Sequence, residues 1–401
     1  MKKKSFLLLM VIYLAFIALG LPDALLGSAW NLVREDLNLS LGTLGYITLI
    51  VYIMSILATF NAPRLLKLFE TKKITIISVL LTGSALILIS KVEYFYQMLF
   101  LAIPLGIGAG AIDVSLNHYL ASNYKAKHMN YLHSFYGIGI TLGPTIMAYT
   151  LSQNSWRTGY AIVGLILLGI ALLLLISFPL WKKETTIERS DNHAHISLKE
   201  ILGTKGAKES ILIFMLYVHV ETLGGVWIAS YMFIQKEISY ALAALFTTAF
   251  FGALTIGRLL SGVLTSVIKP NTLIRIGQVF ILIAGILLLI NYEGIYPYFL
   301  IVSLYGLGCA PVYPNMMFMN SKNFEKRKLS KIMSLQMALG YMGFGVLTPL
   351  AGLFFEKVAI SYYPFFIIFV VVILMIVTFR FMSIKQTEQS NLEQNLSNEN
   401  L

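Results

Sequence analysis

The 401-residue sequence predicts an all-α membrane protein, with twelve transmembrane helices arranged as two pseudo-symmetric six-helix bundles. Three observations predict this class: a composition dominated by apolar residues, the spacing of apolar runs with basic residues between them, and a repeat at an offset of about 200 residues.

Hydrophobic residues make up 57% of the chain and charged residues 12%, a balance foreign to water-soluble domains of this length. The single cysteine, Cys309, excludes a disulfide framework and a cysteine-based zinc cluster. The six histidines show no metal-ligand spacing, so neither a metal nor another cofactor is expected. A net charge of +11 raises the question of nucleic acid, which is bound by basic residues gathered on one face. Here the basic residues sit between apolar runs, and no nucleic-acid partner is expected.

A helix needs about 20 apolar residues to cross a bilayer, because lipid offers the backbone no hydrogen-bond partner. Twelve such runs lie at 5–28, 42–62, 74–90, 95–121, 129–150, 157–181, 210–234, 240–267, 272–291, 295–319, 332–355 and 360–382. With the N-terminus in the cytoplasm, 24 of the 30 Lys and Arg residues fall in cytoplasmic segments. Five fall in external loops (Arg34, Lys91, Arg157, Lys236 and Lys357), and Arg258 lies within a span. This bias places both termini in the cytoplasm. Lys2–Lys4 ahead of Phe6–Leu21 resembles a signal peptide, but the apolar run continues through Ala24–Trp30 and reads as an uncleaved first helix.

The chain divides into a first bundle at 1–181, a polar cytoplasmic linker at 182–209, a second bundle at 210–383 and a disordered cytoplasmic tail at 384–401. The halves repeat one design. Short third and ninth spans recur; Gly106, Gly108 and Gly110 of span four return 200 residues later as Gly306, Gly308 and Ala310. Small residues there let helix backbones approach closely. Asp23, Gly27 and Trp30 of span one are echoed by Glu221, Gly225 and Trp227 of span seven, and Pro144 and Pro349 end glycine-rich stretches of spans five and eleven. At those prolines the backbone is expected to break. Parallel repeats of this kind enclose a central site near mid-membrane.

An ionisable side chain within a span costs roughly 3 kcal/mol or more, so each one points to a cavity, a partner or a proton path. Asp23, beside Gly20 and Pro22, is a proton carrier or ligand group, or else a partly hydrated acid near the interface marked by Trp30. Asp113 and Asn117, four apart, share a helix face and line the cavity, or else Asp113 latches a gate. Glu221 is a third candidate for proton coupling, against a hydrogen-bonded structural acid; His219, two residues away, points elsewhere. Arg258, in the cytoplasmic part of span eight, is a candidate gate residue, and His118 an interfacial one. His133 and Tyr136, three apart on span five, suit a polar ligand of sugar size. Trp227 offers a face for stacking on a sugar ring or simply packs, and Tyr313 and Asn315 add polar groups in the second half.

The stretch Gly106–Asn117 (GIGAGAIDVSLN) followed by Met129–Gly137 (MNYLHSFYG) resembles the major facilitator superfamily, and within it the fucose:proton symporter and glucose-galactose transporter family. Glu221–Trp227 and Ala310–Pro314 are similar to further segments of that family, and the likeness spans essentially the whole chain. The resemblance implies secondary active transport, with proton-coupled uptake of a monosaccharide by alternating access. Asp23 and Asp113 match family acids associated with proton coupling and sugar binding; sodium is the other candidate coupling ion. His133 and Tyr136 stand where the fucose-type pattern has glutamine and asparagine. The superfamily's glycine-rich loop between spans two and three is reduced to Pro63–Lys73, so different gate pairings are expected. A drug or small-solute efflux carrier and a non-transporting membrane sensor are the rival classes. No nucleophile with base or metal appears, so an enzyme is not expected. The expected setting is a bacterial-type plasma membrane, with the lipid bilayer and a small solute as partners and a monomer as the functional form.

Overall fold

The computed structural model describes residues 3–124, 127–181 and 197–399, and every regular element among them is helical. In chain order these are α1 (Lys3–Asp23), α2 (Leu25–Asp36), α3 (Leu44–Leu68), α4 (Thr71–Ile89), α5 (Phe95–Asn123), α6 (Lys127–Leu151), α7 (Trp156–Ile176) and α8 (Leu198–Gly203). They are followed by α9 (Ala207–Lys236), α10 (Tyr240–Leu264), α11 (Pro270–Leu287), α12 (Tyr296–Cys309), α13 (Val312–Asn323), α14 (Lys326–Met342), α15 (Thr348–Lys357) and α16 (Tyr363–Glu399).

Eleven helical stretches of the described residues are long and apolar enough to cross a membrane. The fifth expected span, α6, is long enough at 25 residues but falls short in apolarity. Its glycines, threonines, His133 and Tyr136 replace the leucines that lipid-facing helices carry. A helix of this kind is held by its neighbours, and α6 packs along α1. The short third and ninth spans are α4 with 19 residues and α11 with 18.

Three spans are interrupted. Span one breaks at Ala24, directly after Pro22 and Asp23. Span ten breaks at Ala310–Pro311, where proline withholds an N–H from the helical ladder. Span eleven passes through a five-residue π-helical stretch, Gly343–Leu347, just before Pro349. At Pro144 the expected break does not occur: α6 runs through it unbroken. Single prolines are tolerated in membrane helices because local adjustment and neighbours satisfy the freed carbonyl.

Residues 182–196 of the linker lie outside the described residues; beyond them Ser197 caps the short α8, its Oγ accepting the Glu200 N–H at 3.1 Å. The segment from 384, expected to be disordered, continues α16 as helix to Glu399. Extending a helix already nucleated in a long span costs far less than starting one. Lys385 also anchors the extension, donating to the Asn323 carbonyl at 3.0 Å and to Glu388 at 2.8 Å.

The chain packs as two units, and their limits differ from the halves read in the sequence. The first holds the first six spans together with Leu223–Thr255 and Thr348–Tyr362. On the loop face that the basic-residue bias assigns to the outside, Glu356 of α15 accepts hydrogen bonds from the Ser40 hydroxyl at 2.9 Å and from the Gly42 N–H, at the start of the helix that becomes α3. Tyr240 donates to Glu35, and Gly45 lies against Pro349. Gly27 lies against the backbone of Gly225 and Val226, so the two acid-glycine-tryptophan motifs of the sequence meet at their glycines. Trp30, expected at an interface, is fully buried and donates its indole N–H to the Leu41 carbonyl at 2.9 Å.

The second unit is built from Leu198–Thr222, Ile256–Leu347 and Tyr363 onward. Its polar interior is cross-bonded: Ser210, Asn320 and Gln336 bond one another at 2.7–3.1 Å, and Gln278 donates to Thr378 at 2.7 Å. The 200-residue glycine repeat has the same job in both units. A Cβ on Gly108 would run into the Ser78 carbonyl of α4, and one on Gly308 into the Gly277 carbonyl of α11.

Candidate functional site

In the first unit α1 and α6 meet backbone to backbone at their glycines. A Cβ on Gly20 would strike the Tyr136 carbonyl, and one on Gly139 the backbone of Ile17. This approach brings the Tyr136 hydroxyl to the Asp23 carboxylate, to which it donates at 2.7 Å. Asp23 remains accessible to water-sized space although it sits in the last turn of α1. One helix away on α5, Asn117 Nδ2 donates to Asp113 Oδ1 at 2.8 Å and to the Asp113 carbonyl at 2.9 Å. His133 lies one turn before Tyr136, exposed, with its ring edge-on to Phe16 at 5.9 Å. Four expected residues on three spans, Asp23, Asp113, Asn117 and Tyr136, thus make two acid–donor pairs within one unit.

The acid of the second unit is differently engaged. Arg258 Nη2 meets both oxygens of Glu221, at 3.0 and 3.1 Å, and Tyr217 donates to the same carboxylate. Glu221, expected as a third proton-coupling acid, is therefore the counter-ion of Arg258. Its charge is matched within the fold, and both side chains are only partly exposed, at 21% and 32%. His219 points away to the edge of Phe366, as the two-residue spacing requires. Tyr217 and Tyr305 were not singled out from sequence. The first stands four residues before Glu221, a spacing that could have found it, whereas the second, which donates to the Val220 carbonyl, carries no local signal.

Two expected ligand residues are buried against neighbours. Trp227 is fully buried: its indole N–H donates to the Thr348 carbonyl at 3.2 Å, and its ring lies against Gly352 and Phe355, leaving no face for a solute. Asn315 is 2% exposed, and its amide donates to Ser261 at 3.0 Å and to the Pro311 carbonyl at 2.7 Å. Asn315 follows the break of span ten at Pro311, and the partners of Trp227, on the unbroken α9, lie just beyond the π-helical stretch of span eleven. Tyr313 is half-buried, its ring 5.3 Å from that of Phe214. No group of three or more His, Cys, Asp or Glu side chains able to hold a metal occurs among the described residues.

Twelve expected spans, paired acids within them and a chain built from two repeats define a multi-pass membrane transporter. The sequence pattern of the Major Facilitator Superfamily matches residues 12–233 and 210–398, and the chain belongs to that family. Among curated proteins it is similar to "Bypass of stop codon protein 6" of Saccharomyces cerevisiae, 23% identical over 390 residues, covering 87% of this chain and 77% of that one. It is also similar to the "Probable sulfoacetate transporter SauU" of Cupriavidus necator, 24% identical over 292 residues and 65% of each chain. Solved structures of the same fold include a point mutant of the nucleoside transporter NupG (TM-score 0.74, 12% identity, 95% of this chain and 100% of that one). A D-xylose-proton symporter matches with a TM-score of 0.73 and 14% identity over 93% of this chain and 97% of that one. FucP in the outward conformation matches with a TM-score of 0.59 and 15% identity, over 94% and 99%.

Proposed function

We propose that the protein takes up a monosaccharide by alternating access, coupled to proton entry, with Asp23 and Asp113 as the proton carriers. The observation that carries this reading is the Asp23–Tyr136 hydrogen bond between α1 and α6. A carboxylate reachable by water and held by a neutral hydroxyl can accept a proton and lose its bond geometry in the same event. Such a change biases the equilibrium between two states of a carrier. Asn117 supports a polar, uncharged cargo: its Oδ1 accepts no hydrogen bond among the described residues and would suit a sugar hydroxyl. His133 and Tyr136 supply further hydrogen-bonding groups on α6, and the D-xylose-proton symporter of the same fold is compatible with this class.

The test is uptake into proteoliposomes with an imposed inward proton gradient, screened over pentoses, hexoses and deoxyhexoses. Wild-type protein should accumulate one sugar class and acidify the lumen. Asp23→Asn should retain counterflow exchange and lose accumulation; full accumulation by that variant ends the assignment. A second reading, uptake of a small organic anion, is favoured by the likeness to a probable sulfoacetate transporter. Accumulation of sulfoacetate but no sugar would select it.

A further inference from the structure

Beside Asp23, inside the first unit, lies a cavity of about 80 Å³ walled by α1, α2, α3, α4, α5 and α7. Its wall is mostly aliphatic, but one acid, Asp23, and five hydroxyl-bearing residues, Thr48, Tyr52, Ser78, Thr82 and Tyr160, are part of it. Thr48 donates to the Gly45 carbonyl at 3.0 Å and Thr82 to the Ser78 carbonyl at 3.0 Å, so each hydroxyl oxygen keeps a lone pair for a further donor. Tyr160 differs. It is 2% exposed, and its hydroxyl has no hydrogen-bond partner among the described residues. A buried hydroxyl is nearly always satisfied by protein or by ordered water. The space suffices for several waters, and polar groups stand on opposite walls to hold them. A dry cavity of this size is expected only where the lining is apolar throughout.

We propose that this cavity is a hydrated chamber, and that its water chain is a proton route to Asp23 distinct from the face of Asp23 that Tyr136 holds. Its wall includes α4 and α7, which carry none of Asp113, Asn117, His133 and Tyr136, and no residue of α6 lines it. Water bridging Tyr160, Ser78 and Thr48 would let a proton reach Asp23 without passing the bound solute. The hydration claim stands alone; the proton-route claim rests on the reading of Asp23 as a proton carrier.

Radiolytic hydroxyl-radical labelling of the full-length protein in nanodiscs tests the first claim, because a buried side chain is modified only where water lies beside it. Met98 lines the chamber at 1% exposure, and Met147 and Met232, both fully buried and absent from its wall, are the controls. Met98 and Tyr160 should be modified at least about tenfold faster than those controls; rates equal to the controls would show a dry cavity and overturn the proposal. Ala109→Leu, which fills the chamber, tests the route. It should cut Met98 labelling and slow proton-driven accumulation by about tenfold, with counterflow exchange unchanged. Tyr160→Phe, which removes one water partner and no volume, should slow accumulation by a smaller factor. Loss of labelling in Ala109→Leu with normal accumulation would overturn the route. Full accumulation by Asp23→Asn would instead remove the carrier reading and leave the labelling result standing.

Discussion

The contact at Glu356 makes a quantitative prediction for the loop face assigned to the outside. Glu356 arrives on α15, from the second half of the sequence, and binds the Ser40 hydroxyl and the Gly42 N–H that open the second span. A hydrogen bond to a charged group is worth about 1.5–3 kcal/mol when buried. Glu356 is exposed, so water takes back most of that and each bond retains below about 1 kcal/mol. A carboxylate at a helix start adds about 0.3–1 kcal/mol. The latch is therefore worth about 1–2 kcal/mol, which is about a five- to thirtyfold change in the ratio of closed to open states. The reporter is Leu353→Cys in a Cys309→Ser background, since Leu353 is half-buried and lies beside Gly42. Glu356→Ala should raise its rate of maleimide labelling by about five- to thirtyfold, the factor that this energy implies. Ser40→Ala, which leaves Glu356 in place, should raise it by a smaller factor. If neither variant moves the rate by as much as about twofold, the contact is not holding this face and the energy argument fails.

Other outcomes follow from the same structure. Glu221→Gln and Arg258→Gln should each lower the apparent melting temperature in detergent, by roughly 2–4 kcal/mol of stability, because each leaves a partly buried charge or dipole without its partner. The double variant should recover most of the loss, and simple addition of the two losses would show that the pair is not coupled. Gly108→Val and Gly308→Val should both destabilise, each by about 1–3 kcal/mol, since each forces apart a pair of helices in contact through backbone. Gly262→Ala, where nothing lies within 4 Å, should be neutral or stabilising by about 0.5–1 kcal/mol. Trp227→Phe should leave solute affinity unchanged while lowering thermal stability; a loss of affinity with unchanged stability would return Trp227 to the binding site.

The sequence alone determined the class, the span count and the repeat, because each is written in one dimension. Lipid demands runs of apolar residues of fixed length, and close helix approach demands glycine, so Gly108 and Gly308 announce a shared role before any coordinates exist. Asp113 and Asn117 were legible as a pair for the same reason: four residues on one helix fix a common face. Asp23 stood out because a carboxylate in an apolar run has few uses. Tertiary structure alone decided the partners. That Tyr136 rather than His133 reaches Asp23, that Arg258 claims Glu221, and that Glu356 closes onto Ser40 depend on contacts between residues 37 to 316 positions apart. For Trp227 and Asn315 the sequence left the surroundings open, because a polar or aromatic side chain looks the same in sequence whether it faces a cavity or a neighbouring carbonyl. Whether a helix presents such a residue to water or to its neighbour depends on what the adjoining helices place opposite it, as Thr348 is placed against Trp227 and Ser261 against Asn315, and that is decided only in the packed bundle.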